Sequence, residues 1–222
     1  MKRIISLFLV IVICFTFTAC GKDKKAFEIS KAAYDNIDIA YEITEQIGSD
    51  IYEAWRLGIY DKDEIVDDGA KHLASELSLS AEEIKAGAAY AAVSLIGQDW
   101  DELSDDEKDK YAANADEFFS IIKDDLFSFC VMAVSGAYVV NGKMDEAETA
   151  LAAAKAKMKE MSQEYSDYEH YPSLKGYYTT TSSFFDFCQN PSGSFEQVKD
   201  TINDYKNEAR DYISDLDYIF ED

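Results

Sequence analysis

The sequence predicts an all-α protein, an antiparallel bundle of about seven helices. Apolar residues recur at intervals of three and four over most of the chain, the spacing that places them on one helical face. Two prolines (Pro172, Pro191) and ten glycines are too few for the many tight turns of a β-sandwich or barrel. No strand candidate of any length interrupts the helical period. With 47% hydrophobic and 14% aromatic residues, residues 26–222 hold enough apolar material for the core of one all-helical domain.

The helices follow in order. Over residues 33–58, Ala33/Tyr34, Ile37, Ala40/Tyr41, Thr44, Ile47, Ile51 and Ala54/Trp55 line one face, while Asp35, Asp38, Glu42, Glu45 and Glu53 fill the other. Asp61-Lys62-Asp63 breaks that helix, and a shorter one runs to about Leu77. Ser80-Ala81-Glu82-Glu83 reads as a capping box, serine and glutamate each satisfying an orphan backbone donor, and opens an alanine-rich helix over 84–97. Ser104-Asp105-Asp106-Glu107 is a second such box. Behind it Tyr111, Ala115, Phe118, Ile122, Leu126, Phe129, Ala133, Gly136 and Val140 predict one long helix, closed by Asn141-Gly142, which tolerate the left-handed cap conformation. A further helix carries Met144, Ala147, Leu151, Ala154, Met158, Met161, Tyr165 and Tyr168. Pro172 starts the next, at a position where its missing donor costs little, and Pro191-Ser192-Gly193 forms the turn after it. The last helix has the clearest heptad: Phe195, Val198, Ile202, Tyr205, Ala209, Tyr212, Leu216, Ile219.

An internal repeat is one reading of this order. Shifting residues 84–126 by ninety superposes Lys85 on Lys175, Ser104 on Ser194, Asp125 on Asp215 and Leu126 on Leu216. Two pseudo-repeated halves would then share the long helix over 104–140.

The N-terminus carries an address. Lys2 and Arg3 precede an apolar run from Ile4 to Phe17, interrupted only by Ser6 and Thr16. The run is short for a membrane span and right for the core of a signal peptide. It ends in Phe17-Thr18-Ala19-Cys20-Gly21, which resembles the lipobox of bacterial lipoproteins, with Phe17 where the family more often has leucine. The resemblance covers residues 1–21 alone. It implies a signal peptide over 1–19, a diacylglyceryl group on the Cys20 thiol, cleavage before Cys20, and a lipid anchor in the bacterial cell membrane on its extracytoplasmic face. Residues 20–25 would then be the lipidated cysteine and a short polar tether. No family is recognised for the mature body.

Charge narrows the partners. There are 44 acidic and 21 basic residues, a formal net charge of −23, which argues against nucleic-acid binding through a basic surface. Cleavage removes Lys2 and Arg3 and no acid, so a mature body is more acidic still and stands off a negative membrane. Of four cysteines, Cys14 falls in the signal core and Cys20 at the lipidation site. Cys130 and Cys188 either form a disulfide or stay as buried thiols in apolar helices, and the few structural disulfides used by many lipoprotein-bearing bacteria favour thiols.

Chemical motifs are scarce. His72 lies between Asp68 and Glu76 at helical spacing, a set that reads more simply as a surface histidine among helix charges than as metal ligands. His170 is expected at a helix end, where a cation complements the dipole. Two acidic clusters (Asp61, Asp63, Glu64, Asp67, Asp68, and Asp99, Asp101, Asp105, Asp106, Asp109) match no calcium loop and read as solvated turns and helix N-termini. No metal site, cofactor site or catalytic set is indicated. The best candidates for ligand contact are Tyr165, Tyr168, Tyr171, Tyr177 and Tyr178, since tyrosine is amphipathic and enriched at recognition surfaces. Several of them stand at heptad positions the core also needs. The expected function is a non-enzymatic binding or interaction module for a protein, peptide or glycan partner. The alternative is an extracytoplasmic enzyme or enzyme accessory with dispersed catalytic residues.

Overall fold

The structure, a computed structural model, describes residues 23–220 with their side chains, Lys123 excepted. The helix backbone is described from Lys2, but the side chains of the proposed signal segment, Cys20 among them, lie outside the described residues. Among these the chain is all helical, an antiparallel bundle of nine α-helices and two short 3-10 turns with no strand. The elements are α1 (Lys2–Tyr60), α2 (Lys62–Glu76), α3 (Ala81–Leu95), α4 (Asp105–Ala113), α5 (Ala115–Ile121), α6 (Leu126–Val140), α7 (Lys143–Glu164), α8 (Tyr171–Gln189) and α9 (Phe195–Phe220).

α1 is the hub and touches α2, α6, α7, α8 and α9. Its inward face follows the sequence pattern: Ala33, Ile37, Ala40, Ile47, Ile51 and Ala54 are all fully buried. The core continues through Phe119, Phe129, Tyr177, Phe184 and Phe220, with a small satellite of Ala26, Ile29, Met161 and Tyr165 at the end where α1 enters the body.

Local signals act as the sequence predicts. The Ser80 backbone N–H donates to Glu83 at 2.8 Å while Ser80 Oγ accepts from the Glu83 N–H at 3.2 Å. Gly142 takes φ +80° between α6 and α7, a conformation open to glycine at little steric cost. Pro172 sits in the first turn of α8.

One expectation is corrected. The predicted long helix over 104–140 is three helices, α4, α5 and α6, broken at Asn114 (φ −101°, ψ 11°) and again at Asp125 (φ −128°, ψ 43°). Asn and Asp compete for backbone hydrogen bonds and are poor helix-interior residues. Packing chooses the break: α5 lies on α2 and α3, whereas α6 lies along α3 and α1. The helix that two repeated halves would share is therefore not a single helix. A smaller kink occurs in α2 at Asp68 (φ −154°, ψ 68°), and the nearby Ala70 N–H is taken up by Asp116 Oδ1 at 3.3 Å.

The tightest contact is between α3 and α6. A Cβ on Gly87 would fall 2.0 Å from the Ala133 carbonyl oxygen and 2.3 Å from the Ala137 nitrogen, so the two backbones meet where α3 has no side chain. This close crossing leaves the larger residues of both helices, Tyr90 and Met132 among them, standing beside it.

Candidate functional site

Those side chains frame a cavity of about 610 Å³, within the range of small-molecule sites. Its walls come from five places in the chain. α1 gives Trp55, α3 gives Tyr90, Ala91 and Ser94, and α6 gives Phe127, Val131, Met132 and Val139. α7 adds Met144, Asp145 and Glu148, and the end of α8 closes it with Gln189 and the Asn190 and Pro191 that follow.

The walls are aromatic and the groups among them polar. Trp55 and Phe127 stack with ring centroids 5.8 Å apart, and Tyr90 meets Trp100 edge-on at the same distance. Ser135 Oγ is buried on the groove wall with no hydrogen-bond partner, whereas Ser94 Oγ donates to the Tyr90 carbonyl at 2.9 Å and keeps its lone pairs. A second lobe of about 440 Å³ shares Tyr90, Ser94 and Val139 with the first and adds Gln98, Asp99, Trp100 and Asp101. Among the described residues no lysine, arginine or histidine lines either lobe.

The five tyrosines do not form one site. Tyr165 is buried in the satellite core with the Lys25 ammonium 5.9 Å from its ring centroid, and Tyr168 and Tyr171 are half-buried beside it. Tyr177 is fully buried among Tyr34 and Tyr41 and donates to Asp38 Oδ1 at 3.1 Å, so its hydroxyl is not offered to a ligand. Tyr178 packs half-buried against the main core. None of them lines the groove. Heptad position took these rings inward.

The remaining candidates have structural roles. His72 Nε2 lies 3.2 Å from Asp61 Oδ2. α7 ends at Glu164, and His170 is the N-cap of α8, so the expected complement to a helix C-terminus does not arise. Asp63 and Glu64 occupy the first turn of α2, Asp105 and Asp106 that of α4, and Asp99 accepts the Asp101 N–H at 3.0 Å. Among the described residues no three His, Cys, Asp or Glu side chains converge as a metal ion requires. Cys130 and Cys188 are free and buried, and burial pushes the Cys130 thiol up to about 12 and the Cys188 thiol upward as well.

One buried polar cluster lies apart from the groove. Asp50, 5% exposed in the middle of α1, accepts from the Tyr138 hydroxyl at 2.6 Å, the Ser78 hydroxyl at 2.5 Å and Gln46 Nε2 at 3.2 Å. It ties α1 to α6 and to the α2–α3 connection.

No family model matches the chain, and comparison with curated proteins and with solved structures finds no match either. Among the described residues no single helix is long and apolar enough to cross a membrane.

The groove was not found from the sequence, because its walls are single residues from distant elements. One signal did exist. α6 carries no charged residue from Leu126 to Val140, and a helix apolar all round has more surface than one neighbour covers.

Proposed function

We propose that this protein is a lipid-anchored extracytoplasmic binding protein whose acidic helical bundle captures a small ligand in the groove between α3, α6 and α7. The observation that carries the reading is the groove itself: a cavity of about 610 Å³ with aromatic walls and a buried, unpartnered Ser135 hydroxyl. The lipobox-like segment supports the anchoring. Ala26, the first buried residue described, follows Cys20 by only six positions, so an anchor there would hold that end of the bundle close to the membrane. From Ala26 to Trp55, a residue of the groove wall, α1 rises about 44 Å at about 1.5 Å per residue.

Two measurements test this. Cys20→Ala, expressed in a bacterial host, is expected to lose palmitate labelling and leave the membrane fraction. A processed Cys20→Ala protein that stays in the membrane overturns the anchoring. A thermal-shift screen of the full chain in detergent, against amines, sugars, peptides and fatty acids, tests binding. A true ligand at about a hundred times its dissociation constant adds about 2.7 kcal/mol, a shift of several degrees. Val139→Trp, which fills the waist between the two lobes from an exposed position, is expected to abolish it. A shift that Val139→Trp leaves intact overturns the groove as the site.

A further inference from the structure

Resting on that binding reading, we infer that the ligand is an aliphatic polyamine, whose methylenes lie along the aromatic walls and whose ammonium groups meet acids on two sides of the groove. Two carboxylates come from α7 (Asp145, Glu148) and two from the α3–α4 connection (Asp99, Asp101). Some acids elsewhere pair with lysines, as Asp35 does with Lys31, Glu45 with Lys206 and Asp116 with Lys85, but with 44 acids to 21 bases most do not. Among the described residues the four groove acids, like most acids of the chain, are in no ion pair; what sets them apart is that they stand on two facing sides of one cavity, with no lysine, arginine or histidine among its described walls.

The rings suit the same ligand. An ammonium is attracted to the face of an aromatic ring, tryptophan best, and the Lys108 ammonium already stands 5.4 Å from the Trp100 centroid. Tyr90 and Phe127 add aromatic walls, and the lone pairs of Ser94 accept N–H donors. An anion meets only like charge here. A metal ion finds no converging set of ligands among the described residues, because the acids stand on separate walls. A neutral apolar molecule leaves all four carboxylates unused.

The test is calorimetric titration of the full chain in detergent at fixed ionic strength, with spermidine, butylammonium, hexane-1,6-diol, hexanoate and magnesium chloride as separate probes. Spermidine is expected to bind at one site and raise the melting temperature, with butylammonium weaker by about tenfold or more, since each ammonium–carboxylate contact is a charge-assisted hydrogen bond. Glu148→Gln and Asp99→Asn are each expected to weaken spermidine by about tenfold, and Val139→Trp to remove it. If magnesium reproduces the spermidine effect, the response is screening of the acidic surface and the proposal fails. If hexanediol or hexanoate binds better than spermidine and Val139→Trp removes it, the groove is a binding site and the polyamine assignment alone is wrong. If no probe binds, the polyamine assignment fails, and the broader screen decides the fate of the groove.

Discussion

The Tyr138 hydroxyl reaches across 88 residues of sequence to donate a 2.6 Å hydrogen bond to the Asp50 carboxylate in the middle of α1. Ser78 donates to the same oxygen through both its hydroxyl and its backbone N–H. A carboxylate this buried is tolerated only while its donors are in place. Tyr138→Phe keeps the ring and removes one donor. It is expected to lower unfolding stability by about 1 to 3 kcal/mol, read from denaturant midpoints with an unchanged slope. A variant as stable as the parent shows that the bond adds nothing net.

Gly87 sets the α3–α6 distance. An added methyl would fall on the Ala133 carbonyl and the Ala137 backbone, which cannot move aside as a flexible side chain can. Gly87→Ala should cost upwards of about 3 kcal/mol and widen the groove, whereas Gly142→Ala, with open space around it, carries only the left-handed backbone strain of about 1 kcal/mol. Guanidinium melts of the two variants settle the order. Equal losses remove the argument that the crossing is sterically fixed.

What the sequence made legible is local. Ser80 with Glu83, Gly142 and Pro172 each state a helix boundary through their own backbone chemistry, and each acts as expected. The core face of α1 is equally plain, since Ile37, Ile47 and Ile51 repeat at helical spacing. The break of the long helix was missed because Tyr111, Phe118 and Ile122 keep the period across it, and only tertiary packing decides that α5 and α6 lie on different neighbours. The candidate site was missed for a related reason. Tyr177 carries the same recognition chemistry as Tyr90, but heptad position buries the first, and the α3–α6 crossing leaves the second beside a cavity.

The two body cysteines should be inert in the folded state. Both are free and buried, in surroundings that hold the proton on sulfur. With Cys130 pushed up to about 12, roughly one such thiol in ten thousand is ionised at pH 8. Ellman's reagent at that pH is expected to label neither Cys130 nor Cys188 natively and both in guanidinium. Rapid native labelling of either means that its helix opens locally.

Buried phenols predict the alkaline behaviour. Burial pushes Tyr41 up to about 12, with Glu45 adding to it. Tyr177 and Tyr138 are pushed higher, first by burial and then by the carboxylates of Asp38 and Asp50 beside them. A phenol loses a proton to become charged, so a raised value means that the folded state keeps the proton after the unfolded chain has released it near pH 10. Between pH 10 and 12 the unfolded state therefore binds fewer protons, and stability falls as pH rises. Each such phenol contributes up to about 1.4 kcal/mol per pH unit to that slope. Stability from these groups is fully present below pH 10 and is lost above it. Urea melts from pH 7 to 11.5 are expected to be flat in this respect up to about pH 9.5 and then to decline. Tyr177→Phe should show a shallower decline than the parent, which separates the phenol from lysines titrating in the same range. An identical slope in that variant means that the Tyr177 proton is not linked to folding.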